Sequence, residues 1–427
     1  MENRIKFGFL VFALLIIILP DTSFAQMNLD GDFRMRWYND SFNDTRDSRD
    51  KENYVRYLGR LRGNIRSTKN ITFNTELVTT IESPNSFSGR NIAGTGKLDF
   101  RIGQIYGEFT ESKVLFLDVV RVRLGRQPFG MGNGLSFGES YYFAEKFDGA
   151  RVDAAYKNYT LTLFGAITGQ NLSESGLYPE PGSDQIYTAR LTADLFNQSI
   201  MAYAINQRLR GLFNDNLILG GGISGAFLND RLDYFGEFAH QSFNTNPSFP
   251  KMGGIGYMGG IGYRFAFGPF RSIKVETRYA AYEGDDAATE KVEKFSPPFP
   301  SFFWGDRFGY VNGEIGGAFP NRGRNPEGGR IWYSRIYFIP SALPELRFQI
   351  QYLKISEYKD NDNYNTFDDE LSLRVYYKIL KNAQIQLRFT KGFPNGEDKD
   401  VNQSGLLSSS EDRYKYTRFM AEFSFVF

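Results

Sequence analysis

Residues 55–66 read VRYLGRLRGNIR, with arginine at Arg56, Arg60, Arg62 and Arg66 and with Val55, Tyr57, Gly59, Leu61, Gly63 and Ile65 at the odd positions between. A repeat of two is the period of a β-strand, whose side chains point alternately to opposite faces. One face of this strand is cationic and the other is apolar. Either the apolar face packs on a soluble core, or it faces lipid and the arginines face water inside a barrel. The rest of the chain decides between these readings.

The same alternation runs from end to end. Leu29, Phe33, Met35 and Trp37 share one parity, as do Phe73, Thr75, Leu77 and Thr79, then Leu217, Leu219 and Ile223, then Leu371, Leu373, Val375 and Tyr377, and finally Phe419, Ala421, Phe423, Phe425 and Phe427. Nothing reads as a long amphipathic helix at period 3.6. Aromatic residues make up 16% of the 427 residues, with Phe 41, Tyr 26 and Gly 44. The mean hydropathy is nevertheless -0.40, as interleaved polar and apolar positions produce.

About eighteen such segments are expected, each near the length of a tilted membrane strand. Short connections occur after Glu111, at Lys157, at Asn229, at Gly268 and at Lys381. Long polar ones lie between them: Asn39–Lys51, Ser83–Lys97, Pro128–Lys146, Gln170–Ser183, Gln241–Met252, Asp285–Gly328, Glu357–Asp368 and Gly392–Glu411. Short and long connections in alternation describe an all-β, antiparallel, up-and-down transmembrane β-barrel with tight periplasmic turns and long extracellular loops. A soluble sandwich or solenoid would carry shorter strands and polar outward faces. The expected location is the bacterial outer membrane, with outer-membrane lipid around the wall.

The N-terminus has a basic start (MENRIK), an apolar run (FGFLVFALLIIILP) and a small-residue end (DTSFA). This reads as a signal peptide over residues 1–25, cut after Ala25, with residues 26–427 forming the barrel. The apolar run is short for a retained anchor, and Pro20 follows it. The C-terminal FSFVF, with Phe427 last, has the form of the signal that outer-membrane barrels present to their assembly machinery. Cys is 0, so no disulfide or thiol chemistry is available. The net charge is +1, and no bulk charge points to nucleic acid.

If the apolar parity faces lipid, the arginines face the lumen, because a charge on the lipid side costs about 2–4 kcal/mol at the midplane. Arg121, Arg123, Arg151, Arg190, Arg335, Arg347, Arg374 and Arg388 fall on the parity opposite the apolar residues of their own strands, as the four on the opening strand do, and Asp32, Glu76, Glu108, Asp153, Glu237, Glu276 and Glu422 accompany them. Two readings stay open. Arg–Glu ladders brace the wall of any polar lumen, or arginines without acids form an anion track, since rings of Arg or Lys select anions. Residues 55–66 have few acids of their own, which favours a local basic stripe.

One region carries a more specific pattern. Residues 122–153 contain LGRQ (Leu124–Gln127), a Gly-rich loop with Phe137–Gly138, and FDGARVD (Phe147–Asp153), after a strand with QIYGEF (Gln104–Phe109). It resembles the alginate export family of eighteen-stranded outer-membrane barrels. The resemblance implies passage of an acidic polysaccharide through an arginine-lined pore, with Arg126, Asp148 and Arg151 carried over by motif. The loop after GRQ reads GMGNGLSFG and lacks the arginine usual there, and Asp285–Gly328 has no counterpart in the pattern. The alternative is a general diffusion porin whose arginines are structural.

No enzyme, cofactor or metal site is expected. The single histidine, His240, has no nucleophile elbow or metal cluster beside it and reads as a surface or lumen residue. The acidic stretch Lys359–Glu370 lacks the glycine of a calcium loop and reads as solvated. Ser296–Tyr310 is too aromatic for a solvated loop; it enters the pore, stacks on sugar rings or packs on other loops.

Overall fold

The computed structural model describes residues 26–43, 51–82, 99–136, 146–167, 185–208, 213–245, 252–283, 292–293, 295, 329–357, 367–395 and 415–427, some at strand ends by backbone alone. Residues 1–25, read above as a signal peptide, most of the long loops, Phe137–Gly138 and Ser296–Tyr310 lie outside the described residues, as does most of Lys359–Glu370.

The first half of the wall is β1 (Gln26–Asn43), β2 (Lys51–Arg66), β3 (Ile71–Glu82), β4 (Asp99–Val114), β5 (Leu117–Pro128), β6 (Lys146–Tyr156), β7 (Tyr159–Ile167), β8 (Gln185–Leu195) and β9 (Gln198–Arg208). The second half is β10 (Phe213–Phe227), β11 (Leu232–Thr245), β12 (Met252–Phe267), β13 (Phe270–Tyr282), β15 (Gly329–Pro340), β16 (Leu346–Glu357), β17 (Phe367–Leu380), β18 (Ala383–Asn395) and β19 (Lys415–Val426). The remaining element, β14 (Val292–Glu293), is a two-residue piece lying parallel to the start of β12. Each wall strand pairs antiparallel with the next, β13 pairs directly with β15, and β1 pairs with β19 to close the ring. The eighteen wall strands leave no edge, so every strand finds backbone partners on both sides, as a span through lipid requires.

The faces are those the alternation predicts. On β1, Leu29, Phe33, Met35 and Trp37 are exposed, and Asp32, Arg36 and Tyr38 are buried. Leu161 and Leu163 are exposed on β7, with Thr162 and Phe164 buried between them. Leu371 and Leu373 are exposed on β17, with Glu370 and Ser372 buried. Phe423 and Phe425 lie in register with Met35 and Phe33, and Phe419 meets the Trp37 ring at 5.6 Å on the same outward face. Polar groups are inside and apolar ones outside, the inverse of a soluble core. The exterior is therefore a lipid-contacting wall.

Eight tight turns lie at the end of the barrel that carries Gln26 and Phe427. The opposite end bears the long connections. One exception there was not legible: β9 and β10 are joined by residues 209–212 alone.

Candidate functional site: the lumen and its constriction

The lumen contains an apolar cluster that no membrane strand needs. Its source is the chain after β5, where Phe129, Met131, Leu135 and Ser136 are all buried. This segment folds back into the barrel. The Phe129 ring stacks on Phe164 of β7 at 4.0 Å with planes 6° apart, and Phe147 meets Phe164 edge-on at 5.8 Å. Glu237 of β11 reaches across to the segment. Its Oε2 accepts the Asn133 backbone N–H at 2.6 Å, and its Oε1 accepts the Tyr203 hydroxyl of β9 at 2.9 Å. Tyr203 in turn stands 3.0 Å from Ser136 Oγ. Gly132 has φ +63, and a Cβ there would stand 2.5 Å from Met201 Cε and 2.6 Å from Glu237 Oε2. Only glycine fits so close to the wall in that conformation.

A second piece enters from the long Asp285–Gly328 connection. Phe295 is fully buried, with its ring 5.8 Å from Tyr282 and over Gly256, where a Cβ would come within 2.5 Å of it. Its backbone N–H donates to the Glu283 carbonyl at 2.9 Å. Apart from Val292–Glu293, the rest of that connection lies outside the described residues.

Around these inserts the wall carries its charges. Arg60 and Arg62 of β2 point inward but are not a stripe without acids. Asp32, 3% exposed on β1, accepts from Arg60 Nε at 2.9 Å and from Arg62 Nη2 at 2.5 Å, with Arg34 at 3.5 Å. Arg62 also meets Asp30 at 2.6 Å and Glu76 of β3 at 3.3 Å. The acids come from the flanking strands, so an inventory of β2 alone missed them. Arg66 is exposed at the turn end and donates to the Lys69 carbonyl at 2.9 Å. The Arg56 side chain lies outside the described residues.

Arg121 and Arg123 share Glu108, at 3.5 Å and 2.5 Å. Arg151 meets Asp153 at 2.9 Å and stands over the Phe129 ring at 5.6 Å. Arg190 donates to Thr162 Oγ1 at 3.3 Å and makes no ion pair with a described carboxylate. Across the lumen, Arg335 meets Glu276 at 2.9 Å, and Glu276 also serves Arg278 and Lys274. Arg347 stands over the rings of Tyr376, at 4.1 Å, and Tyr337, at 5.8 Å, and its Nε has no partner among the described residues. Arg374 and Arg388 face each other in register on β17 and β18 and continue this basic wall. Thus two arginines share Glu108, and Lys274, Arg278 and Arg335 share Glu276, whereas Arg60 and Arg62 of β2 meet three carboxylates, Asp30, Asp32 and Glu76.

Two residues carried over by motif are not in the pore. Arg126 is in register with Ile105 and two positions from Leu124, both exposed on the lipid side, and Asp148 lies opposite it. They form a two-point ion pair, Nε–Oδ1 at 2.9 Å and Nη2–Oδ2 at 2.7 Å, on the outside of the wall. The next residue, Gln127, is fully buried, and its Nε2 donates to the Gly149 carbonyl at 3.1 Å. The LGRQ and FDGARVD stretches thus form a strand joint, paired by charge outside and by an amide inside. His240 also faces outward, in register with Leu219 and Ile255. Sequence reasoning placed Glu237 among the acids that pair with arginine; it holds the inserted segment instead. The glycines of GMGNGLS were the available signal.

No family model matches the sequence, and no curated protein matches it. Solved structures match by shape. Pseudomonas aeruginosa OccK8 (OprE) aligns at a TM-score of 0.59 and 12% identity, over 94% of this chain and 98% of that one. Pseudomonas aeruginosa OpdK, solved with vanillate, aligns at 0.59 and 10%, over 94% and 98%. Acinetobacter baumannii OccAB3 aligns at 0.57 and 14%, over 94% and 100%. The expected alginate export family finds no support in these matches; what they share with this chain, across almost its whole length, is the fold.

Proposed function

We propose that the chain is a diffusion channel of the bacterial outer membrane for small water-soluble solutes, with anions favoured over cations. The observation that carries this reading is the segment Phe129–Ser136, held inside the barrel along β7–β11 by Glu237 and Tyr203. A narrowed bore suits small solutes better than a polymer. The sharing of Glu108 by two arginines and of Glu276 by Lys274, Arg278 and Arg335 supports an anion preference, since fixed cations in a confined pore raise the local anion concentration. Arg347, set on two tyrosine rings, is held extended at little entropic cost. OpdK was solved with vanillate, a small aromatic carboxylate. Passage of an acidic polysaccharide is the second reading, and the spread of inward arginines over many strands favours it.

Reconstituted vesicles separate the two. Swelling should be fast in small sugars, faster in a small carboxylate, and slow in uronate oligomers. A salt-gradient reversal potential should show anion preference that falls when Arg335, Arg347 and Arg374 are changed together to Gln. Oligomers that enter as fast as the monomer would establish the polymer reading; a potential unmoved by the triple change would remove the arginines from the mechanism.

A further inference from the structure

At the turn end of the barrel, bulky apolar residues stand where the backbone least favours them. Leu115 (φ 56), Phe196 (φ 50) and Leu228 (φ 55) occupy the left-handed region at three separate turns. There a side chain's Cβ crowds its own backbone, and Gly or Asn is the usual occupant. These three are 91%, 94% and 64% exposed, so nothing inside the protein rewards their bulk. The fold accepts polar residues at the same level, as at Lys157–Asn158 and Lys381–Asn382.

We propose that these tips are lipid anchors, seated in the interfacial layer of the leaflet nearest the turns. Two observations choose lipid as the occupant. First, the tips continue the lipid-facing wall. Phe116, beside Leu115, meets Tyr156 edge-on at 6.4 Å, and Phe227, beside Leu228, stacks on Tyr234 at 5.3 Å. Second, the strands between them are short. β7 has 9 residues and β8 and β9 have 11 each. Nine residues at ~3.3 Å rise and ~40° tilt span about 23 Å, no taller than the ~25 Å apolar band of such barrels. The Phe196 turn, between β8 and β9, therefore sits at the lower edge of the hydrocarbon. The proposal is independent of what the pore conducts.

The test is a single-tryptophan chain, with Trp37, Trp304 and Trp332 changed to Phe and Phe196→Trp added, reconstituted in phosphatidylcholine vesicles. Blue-shifted emission, quenched by lipids brominated near the carbonyl end of their chains, is expected. Water-like emission that brominated lipid leaves unquenched would overturn the proposal and leave the tips open to a soluble protein. A second variant covers failure of the first to fold. Leu115→Asn, Phe196→Asn and Leu228→Asn together relieve the backbone conflict, so without anchoring the barrel should resist urea as well as before or better. Anchoring predicts the opposite sign in vesicles, a lower urea midpoint; a raised or unchanged midpoint sinks the idea.

Discussion

Changing Glu237 to Ala should loosen the constriction while sparing the barrel. The carboxyl group accepts the Asn133 N–H at 2.6 Å and the Tyr203 hydroxyl at 2.9 Å. Hydrogen bonds to a charged group contribute about 1.5–3 kcal/mol each. Water entering the vacated space replaces part of this, and Tyr203 keeps Ser136 as a partner at 3.0 Å. A net loss near one such bond, about 1.5–3 kcal/mol, shifts the balance between docked and released segment roughly tenfold to a hundredfold. Packing of Phe129 on Phe164 still favours the docked form, so release should be intermittent. Single-channel recording should show larger mean conductance and added open-channel noise, with Glu237→Gln between the wild type and Glu237→Ala. Heat-modifiable mobility on gels confirms that the variant is a closed barrel. A folded Glu237→Ala channel with wild-type conductance and noise would show that the apolar contacts hold the segment unaided.

Three further outcomes follow from the ion pairs and the seam. Arg60→Gln with Arg62→Gln leaves Asp32 buried with Arg34 alone at 3.5 Å; breaking a buried pair costs about 3–5 kcal/mol, so the urea midpoint should fall while the reversal potential holds, and the converse result would restore these arginines as the anion track. Arg126→Gln should cost about 0–1 kcal/mol, as for an exposed pair, and leave conductance unchanged, because the pair is outside the wall; altered ion selectivity would contradict its placement. Gly31→Val should stop closure: Gly31 and Phe427 exchange two backbone hydrogen bonds of 3.0 Å, and a Cβ on Gly31 would stand 2.5 Å from Phe427 Cζ. Loss of the compact unheated gel band is expected, and a normal band would show that the Phe427 ring has another place to go.

The wall was legible because lipid enforces it. A charge facing hydrocarbon is costly through the middle of the bilayer, so parity survives along each strand and can be read residue by residue, as VRYLGRLRGNIR shows. Side-chain alternation by itself, without the charge rule, also places Arg126. It shares parity with Leu124, while Arg121 and Arg123 have the other parity. The motif resemblance drew it into the pore against the alternation, and the alternation was right. Asp148 followed it for the same reason, being its partner across the joint.

The lumen was less legible, because nothing comparable constrains it. Inside a wet bore a guanidinium meets water, a carboxylate or an aromatic face at similar cost, so residue type does not determine partner. Whether an arginine is spent on structure depends on the strand beside it: Arg62 meets Asp30, Asp32 and Glu76 from two neighbours, whereas Arg347 meets tyrosines. Register between strands, set by turns far away in sequence, decides which. The inserted segment is harder still. Phe129, Met131 and Leu135 share one parity yet form no strand, and their burial depends on Glu237, more than a hundred residues away, presenting its carboxyl at the level of Asn133. What the sequence does show there is glycine at 130, 132 and 134, a backbone freed to follow the wall closely. In this barrel the strands answer to the membrane and the loop answers to the strands, so a reading from sequence succeeds in that order.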